Sequence, residues 1–225
     1  MALLVIEGLD GAGKSTQVGL LQNLLKERGK KFEYLHFPRT DGPVYGDLIA
    51  RFLRGELGEI DNVNPYLIAL IYAGDRADAK NMLKKWLDEG ITIVLDRYVY
   101  SNIAYQCAKL SDQNQIAALK KWILDTEFGY FNLPKPDLSI FLDVPFQFTT
   151  RKLTEQRSGD DRAYLQGQRD IHEEDLHFQE RVRKIYLGLE AEERFVRIDC
   201  SGDQGSMLSA DEIFVKVKNV INPIL

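Results

Sequence analysis

Cysteine and long apolar runs are scarce in this chain of 225 residues, and each scarcity excludes a class of protein. Cys107 and Cys200 are too few for a disulfide framework and form no metal-binding pattern, so we expect core or half-buried thiols in a reducing cytoplasm. The longest stretch without a charged residue, 62–74, is too short to span a bilayer. An apolar run begins at Ala2, so we also expect no signal peptide.

An excess of positive charge is also absent, because 34 acidic side chains outnumber 29 lysines and arginines and give a formal net charge of -5. No global positive field attracts nucleic acid or an anionic membrane, and we expect neither as a partner. The chain is 44% hydrophobic and 28% charged, as globular proteins usually are. Its length suits one α/β domain, so we predict a single domain over residues 1–225.

Five short apolar segments alternate with longer segments that mostly show helical periodicity. This alternation predicts an α/β fold with a parallel sheet covered by helices, and the continuously apolar strands predict burial on both faces. The clearest helix runs from about Pro65 to Glu89, because Asn64 can cap it and Gly90 can end it. The predicted strands are residues 2–7, 32–37, 91–96, 137–143 and 194–199.

The segment GLDGAGKS, residues 8–15, matches the pattern G-x-x-x-x-G-K-S in full, between a predicted strand and a predicted helix. The glycines allow backbone N–H groups to surround phosphate oxygens, and the helix N-terminus favours negative charge. Lys14 can reach the β- and γ-phosphates, and the Ser15 hydroxyl can bind Mg²⁺. The sequence therefore predicts a P-loop fold that binds a nucleoside triphosphate. The predicted ATP-binding residues are Gly8, Leu9, Asp10, Gly11, Ala12, Gly13, Lys14, Ser15 and Thr16.

Further absences narrow the use that is made of this nucleotide. A GTPase would need the guanine-reading sequence Asn-Lys-x-Asp, and the chain has no Asn-Lys pair. An ATP-driven motor or a recombinase would normally be larger or basic. A small acidic chain therefore favours a kinase that acts on a small molecule.

Two residue pairs are candidates for a second site. Asp96 and Arg97 stand at the carboxyl end of the third predicted strand, where ligands bind in open α/β sheets. The Asp96 carboxylate can support Mg²⁺, directly or through water, and the planar Arg97 guanidinium suits a phosphate. A surface ion pair is the alternative. Tyr72 and Arg76 share one helix face, a spacing that is equally typical of an ordinary amphipathic pair.

Five segments, in this order, resemble the thymidylate kinase family: EGLDGAGKSTQ, FPR, YAGDR, LDRYVYSNIAY and LPKPDLSIFLDV. The likeness covers residues 3 to about 150 and continues more loosely through 178–187. It implies transfer of phosphate from ATP to dTMP, giving dTDP, with Mg²⁺ as cofactor and a homodimer as the usual assembly. It also implies a three-layer P-loop fold with a mobile lid over about 151–172.

The resemblance also implies roles in an acceptor site. Tyr72 would stack on the thymine ring, Arg76 would donate to its O4 atom, and Phe37 would form an apolar wall. Arg39 and Arg97 would together hold the acceptor phosphate.

Three further residues complete this expected site. Because triphosphate repels a carboxylate, Asp10 should project away from it, and the resemblance implies a hydrogen bond from the acceptor's 3′-hydroxyl. A structural role in the turn is the alternative for Asp10. Ser101 and Tyr105 would lie beside the sugar and base. Asn102 stands where the family often has glycine.

The lid is expected to supply an arginine, because Gly11 stands where some members of the family carry one. Arg157 and Arg162 are the predicted contacts of the transferred phosphoryl group, with Arg151 and Arg169 as further candidates. The predicted catalytic residues are Asp10, Lys14, Arg97, Arg157 and Arg162, and the predicted metal ligands are Ser15 and Asp96.

Three alternatives stay open. One is a P-loop kinase of a different nucleoside monophosphate. Another is a deoxynucleoside kinase, whose uncharged acceptor hydroxyl would need a general base and less positive charge. The third is a regulator that binds ATP without catalysis. The arginines that are expected to hold a second anion argue against this third alternative.

Overall fold

The computed structural model describes residues 1–60, 62–154, 164–165 and 170–225, with the backbone alone at 151–154, 173–174 and 204. Among the described residues, five parallel strands form one sheet in the order β2-β3-β1-β4-β5. The predicted five-stranded parallel sheet is thereby confirmed. The strands are β1 (Leu3–Glu7), β2 (Phe32–His36), β3 (Thr92–Asp96), β4 (Leu138–Asp143) and β5 (Phe195–Asp199).

The helices flank this sheet. They are α1 (Lys14–Glu27), α2 (Tyr45–Leu53), α3 (Pro65–Asp88), α4 (Val99–Cys107), α5 (Gln113–Leu124), α6 (Phe146–Thr154), α7 (Ile171–Glu174), α8 (Leu176–Leu187) and α9 (Ala210–Ile221). A π-helix (Asp125–Tyr130) continues α5, and a short 3-10 helix (Asp203–Gly205) precedes α9. None of these described helices combines the length and the apolar character that a membrane crossing requires.

The alternation of side chains along β1 explains the three layers. Leu3 and Val5 belong to a core shared with α3, α4, α5 and α8, whereas Leu4 and Ile6 belong to a core shared with α1 and α9. Successive strand residues point to opposite faces, so one apolar strand serves both cores. The three-layer arrangement is as predicted.

Burial on both faces holds for the central strands and fails at the edges of the sheet. Every residue of β1, β3 and β4 is buried, whereas β2 and β5 each keep partly or fully exposed residues. The expectation of a fully buried sheet was therefore wrong for β2 and β5, because each has a neighbouring strand on one side only.

Local signals set the ends of α3 as predicted. The Asn64 side chain accepts a hydrogen bond from the Tyr66 N–H at 2.9 Å, Pro65 occupies the first turn, and Gly90 adopts a φ of +74° just beyond the end. This helix carries Tyr72 and Arg76 towards the carboxyl ends of the central strands.

The strand order creates a crevice beside β1. The chain leaves β1 towards β2 and β3 on one side and reaches β4 on the other, so the direction of winding changes at this strand. Ligands bind at such switch points, outside the carboxyl ends of the strands. The loop after β1 and the turn after β3 both open into this crevice.

Candidate active site

A cavity of about 1380 Å³ lies at the carboxyl ends of the central strands. It brings together residues from the loop after β1 and from β3, α3 and α4 that are far apart in sequence. Gly8 and Leu9 of the loop are buried instead. The predicted residues that line the cavity are Asp10, Gly11, Ala12, Gly13, Lys14, Ser15, Thr16, Phe37, Arg39, Tyr72, Arg76, Asp96, Arg97, Ser101 and Tyr105.

The phosphate loop has the backbone that its glycines allow. Gly11 and Gly13 adopt φ values of +76° and +80°, which side chains strongly disfavour. Within the part of the chain that the structure describes, no side chain caps the N-terminus of α1. Its first N–H groups therefore remain for an anion, in the place where the helix dipole is positive.

Lys14 is held inside this loop rather than extended into solvent. Its Nζ donates to the Leu9 carbonyl oxygen at 2.9 Å, and its side chain is buried. Burial, together with the positive charge of Arg97, lowers the pKa of Lys14 to about 8. The lysine therefore changes charge at an unusually low pH.

The Asp10 carboxylate faces Arg97 and Tyr105. Arg97 Nη2 donates to its Oδ1 at 2.8 Å, and the Tyr105 hydroxyl donates to its Oδ2 at 2.8 Å. Burial raises the pKa of Tyr105 well above its ordinary value, so the phenol keeps the proton that it donates. Arg97 Nη1 also donates to Ser101 Oγ at 3.2 Å. These four residues form one connected polar group.

Glu7 underlies this group, and the sequence analysis did not single it out. It is fully buried and accepts hydrogen bonds from the Tyr98 N–H at 3.0 Å, the Ser101 hydroxyl at 2.5 Å and the Tyr186 hydroxyl at 3.0 Å. Burial raises its pKa, while these hydrogen bonds and the charge of Arg97 oppose that rise. A carboxylate that ends an otherwise apolar strand was the available signal.

Asp75 was also missed, although it lies inside the segment YAGDR. Its carboxylate accepts from the Arg39 N–H at 2.9 Å and from Arg39 Nε at 2.8 Å, and its carbonyl oxygen accepts from Arg39 Nη2 at 2.6 Å. Asp75 is buried, so it fixes Arg39 to α3 at the cavity wall. The next residue of α3, Arg76, also lines the cavity.

Arg76 forms a buried ion pair with Glu127 of the π-helix, with Nε to Oε2 at 2.5 Å and Nη2 to Oε1 at 2.7 Å. Asn102 Nδ2 donates to the same Oε1 at 2.8 Å and to the Ala69 carbonyl oxygen at 3.0 Å. The Asn102 side-chain oxygen is buried and has no hydrogen-bond partner among the described residues. Arg76 and Asn102 both line the cavity.

Two aromatic residues complete this end of the cavity. Phe37 is buried, with its ring centroid 5.9 Å from that of Tyr98. Tyr72 is half-buried and packs beside a small apolar cluster that includes Ile49 and Phe52. An apolar surface therefore adjoins the polar wall formed by Arg76.

Asp96 and Ser15 supply oxygen atoms of the kind that Mg²⁺ binds. Asp96 Oδ2 lies 3.4 Å from His36 Nδ1, while its buried Oδ1 has no hydrogen-bond partner in the described part of the chain. Burial acts to raise the pKa of Asp96, but the hydrogen bond with His36 and the charge of Lys14 outweigh it and lower the pKa. These oxygen donors would suit a hard cation such as Mg²⁺.

The opposite end of the cavity contains residues that sequence reasoning did not identify. Gln17 Nε2 donates to the Ala210 carbonyl oxygen at 2.9 Å. The buried Oε1 of Gln17 accepts no hydrogen bond from the described residues. Met207 and Leu208 line the cavity beside them. Contact between α1 and the first residue of α9 joins positions almost 200 residues apart, which no local pattern signals.

The predicted lid arginines Arg157, Arg162 and Arg169 lie outside the described residues, and Arg151 is described by its backbone alone within α6. Tyr164, within this segment, and Asp170 and His172, at its end, line the cavity. The ring centroid of His172 lies 5.0 Å from that of Tyr105.

Comparison with known proteins adds an independent observation. A family model described as thymidylate kinase matches residues 6–207. The thymidylate kinase of Mycobacterium tuberculosis (strain ATCC 25618 / H37Rv) is 35% identical over 191 residues, covering 84% of this chain and 86% of that protein. Probable thymidylate kinase 1 of Saccharolobus solfataricus is 34% identical over 206 residues, covering 92% of each. A solved thymidylate kinase structure from Candida albicans has the same fold, with a TM-score of 0.73 at 24% identity over 99% of this chain and 92% of that chain.

Proposed function

Because the chain belongs to the thymidylate kinase family, we propose that it transfers the γ-phosphoryl group of ATP to dTMP and releases dTDP and ADP. The observation that carries this proposal is a single cavity with the phosphate loop on one side and the cationic side chains of Arg39 and Arg97 on the other. A deoxynucleoside kinase has an uncharged acceptor, for which two arginines at this place have no use.

The reaction needs no general base. The nucleophile is a phosphate oxygen of dTMP, and a phosphate monoester with a second pKa near ~6 is mostly dianionic at neutral pH. A bond forms between this oxygen and the γ-phosphorus, the bond to the β–γ bridging oxygen breaks, and ADP leaves. The protein's task is therefore to bring two anions together and to hold them in line.

The charges of the cavity are divided between the two nucleotides. Lys14 and the N–H groups at the start of α1 offset the donor phosphates, and Arg39 and Arg97 offset the acceptor phosphate. Asp10 accepts a hydrogen bond from the 3′-hydroxyl of dTMP while it keeps its contacts with Arg97 and Tyr105. In this arrangement the catalytic residues are Asp10, Lys14 and Arg97, with Arg157 and Arg162 from the lid.

Mg²⁺ belongs to the proposal as the cofactor, held by Ser15 and Asp96 together with the phosphates of ATP. When bound, it offsets the charge that develops between the β- and γ-phosphates. The Asp96 oxygen without a hydrogen-bond partner among the described residues supports this assignment.

The base of the acceptor lies between Tyr72 and Phe37 in this proposal, with Ser101 and Tyr105 beside the sugar. Arg76 faces the thymine O4 atom. The buried Asn102 oxygen faces the neighbouring N3–H, because an acceptor without a partner among the described residues needs a donor. The same wall suits uracil, which carries both groups.

The proposal also includes the domain organisation, the assembly and the compartment of the protein. The chain forms a single domain over 1–225 with a lid over about 151–172, assembles as a homodimer and works in the cytoplasm. Free, buried thiols at Cys107 and Cys200 support a reducing compartment.

A coupled assay of ADP release tests the proposed substrate. ATP would be supplied with dTMP, CMP, GMP, AMP or unphosphorylated thymidine, and we expect turnover to be fastest with dTMP. Turnover with dTMP no faster than with the other monophosphates would make the substrate wrong. A preference for thymidine would favour the deoxynucleoside kinase. ATP binding without ADP release under every condition would favour the regulator.

A further inference from the structure

The ion pair between Arg76 and Glu127 is almost completely buried. Arg76 is 2% exposed and Glu127 is 0% exposed, and they lie 51 positions apart. Burying two charges costs more free energy than an apolar pair of similar size, so stability alone gives little reason for this arrangement. The pair lies in the wall that faces the base of the proposed acceptor.

The carboxylate determines how its two partners are oriented. Glu127 takes two of the five N–H groups of Arg76, Nε–H and one on Nη2, and leaves the others for the cavity. It also accepts from Asn102 Nδ2, which donates in addition to the Ala69 carbonyl oxygen. Turning the Asn102 amide would place its oxygen against two acceptors, so the oxygen is held on the side away from Glu127 and Ala69. Asn102 itself is one of the residues that line the cavity.

The wall therefore presents a donor beside an acceptor in a fixed order. Thymine and uracil present the complement, an acceptor at O4 beside a donor at N3. Cytosine presents the reverse, a 4-amino donor beside an acceptor at N3. A cytosine in this place would leave four polar groups unpaired out of water, and such mismatches are what allow a site to reject an analogue strongly.

We propose that Glu127 is a positioning residue that fixes this donor–acceptor order and thereby selects a pyrimidine with a 4-carbonyl group over one with a 4-amino group. The proposal rests on the proposed function, because it assumes that the base of a nucleoside monophosphate lies against Arg76 and Asn102. Glu127 touches neither substrate and acts through these two residues.

A glutamine at position 127 keeps the shape of the side chain but removes its charge and changes its hydrogen-bonding groups. A carboxylate has only acceptors and obliges both partners to donate, whereas a glutamine amide also carries donors and can let Asn102 turn. Burial alone would lower the pKa of Arg76, and the charge of Glu127 outweighs this and raises it. Glu127→Gln therefore removes both the compensating charge and the single permitted orientation.

The experiment compares kcat/KM for dTMP, dUMP and dCMP with ATP in the wild-type protein, Glu127→Gln and Glu127→Asp. We expect the dTMP/dCMP ratio to fall at least about tenfold in Glu127→Gln, because the order of the wall is no longer fixed. The KM for ATP and the dTMP/dUMP ratio should stay within about twofold, since neither depends on this wall.

Asp143→Asn is the matched control, because Asp143 is also a buried carboxylate, paired with Arg183 at 2.6 Å and with Arg197 at 2.7 Å. It should lower Tm and leave the dTMP/dCMP ratio unchanged. Glu127→Gln with a lowered Tm and an unchanged ratio would show a purely structural pair and overturn the proposal.

Glu127→Asp keeps the charge that compensates Arg76 but is one methylene shorter, so it cannot engage Arg76 and Asn102 together. It decides the question if Glu127→Gln does not fold: a lowered dTMP/dCMP ratio supports the proposal, and an unchanged ratio overturns it. Failure of the proposed function is distinguishable, because the wild-type protein would then itself show no preference for dTMP.

Discussion

Arg97 Nη2 lies 2.8 Å from Asp10 Oδ1, although the two residues are 87 positions apart and follow different strands. The pair joins the phosphate loop after β1 to the turn after β3. Arg97 adopts a φ of +69°, a conformation that side chains rarely take, and its guanidinium is buried. Residues held in such conformations cluster at functional sites.

Replacing Arg97 tests its proposed hold on the acceptor phosphate. We expect Arg97→Ala to raise the KM for dTMP and to lower kcat by about 10²-fold or more, because a positioned donor to developing charge is lost. ATP binding, measured by calorimetry, should survive. Arg28→Ala is the control, since Arg28 bonds to Asn222 at an exposed site. Unchanged kinetics in Arg97→Ala would refute the assignment.

The two predicted lid arginines are distinguished by kinetics. We expect Arg157→Ala or Arg162→Ala to lower kcat far more than it changes either KM, by up to about 10³–10⁵-fold for an arginine on the migrating phosphoryl group. Arg151→Ala and Arg169→Ala serve as comparisons in the same segment. If neither of the first two variants lowers kcat, the lid assignment fails.

The lowered pKa of Lys14 predicts a pH dependence of ATP binding. Lys14 is positively charged below about pH 8 and neutral above it in the free protein. Affinity for ATP should therefore fall as pH rises through 8, by about tenfold between pH 7 and pH 9. Calorimetric titration at several pH values measures this slope. Lys14→Met should bind weakly throughout and lose the slope, whereas an identical slope in that variant would contradict the prediction.

Gly74 and Gly19 make a matched pair of helical glycines. A Cβ atom at Gly74 would lie 2.2 Å from Tyr45 Cε1, whereas a Cβ at Gly19 would meet no atom within 4 Å. We expect Gly74→Ala to lower the free energy of unfolding by about 1–3 kcal/mol through overpacking between α2 and α3. Gly19→Ala should raise it by about 0.5–1 kcal/mol. Urea unfolding measures both, and equal stability of the two variants would exclude a tight α2–α3 contact.

Local patterns predicted the frame of the molecule well. The five strands were found within one residue at each end because their apolar runs are short and sharply bounded. The ends of α3 followed from Asn64, Pro65 and Gly90, whose effects on backbone geometry are local. The phosphate loop could be predicted because its function depends on neighbouring backbone groups.

Pairings across the fold could not be predicted in this way. Asp75 and Glu127 each fix an arginine that lies 36 or 51 positions away, and a charged residue in a helix is usually solvated. Glu7 gave a weak signal as a carboxylate closing an apolar strand. Their roles depend on which helices pack against which strands, and that information is not contained in any single segment.

The hydrogen-bond ladder between β1 and β3 continues one residue past the end of β3, where the Arg97 N–H donates to the carbonyl oxygen of Ile6 in β1 at 2.9 Å. In the proposed arrangement, the pairing of β1 with β3 therefore sets the distance between the donor and acceptor nucleotides. We therefore expect that the lid and the residues that face the acceptor base can change without altering this distance.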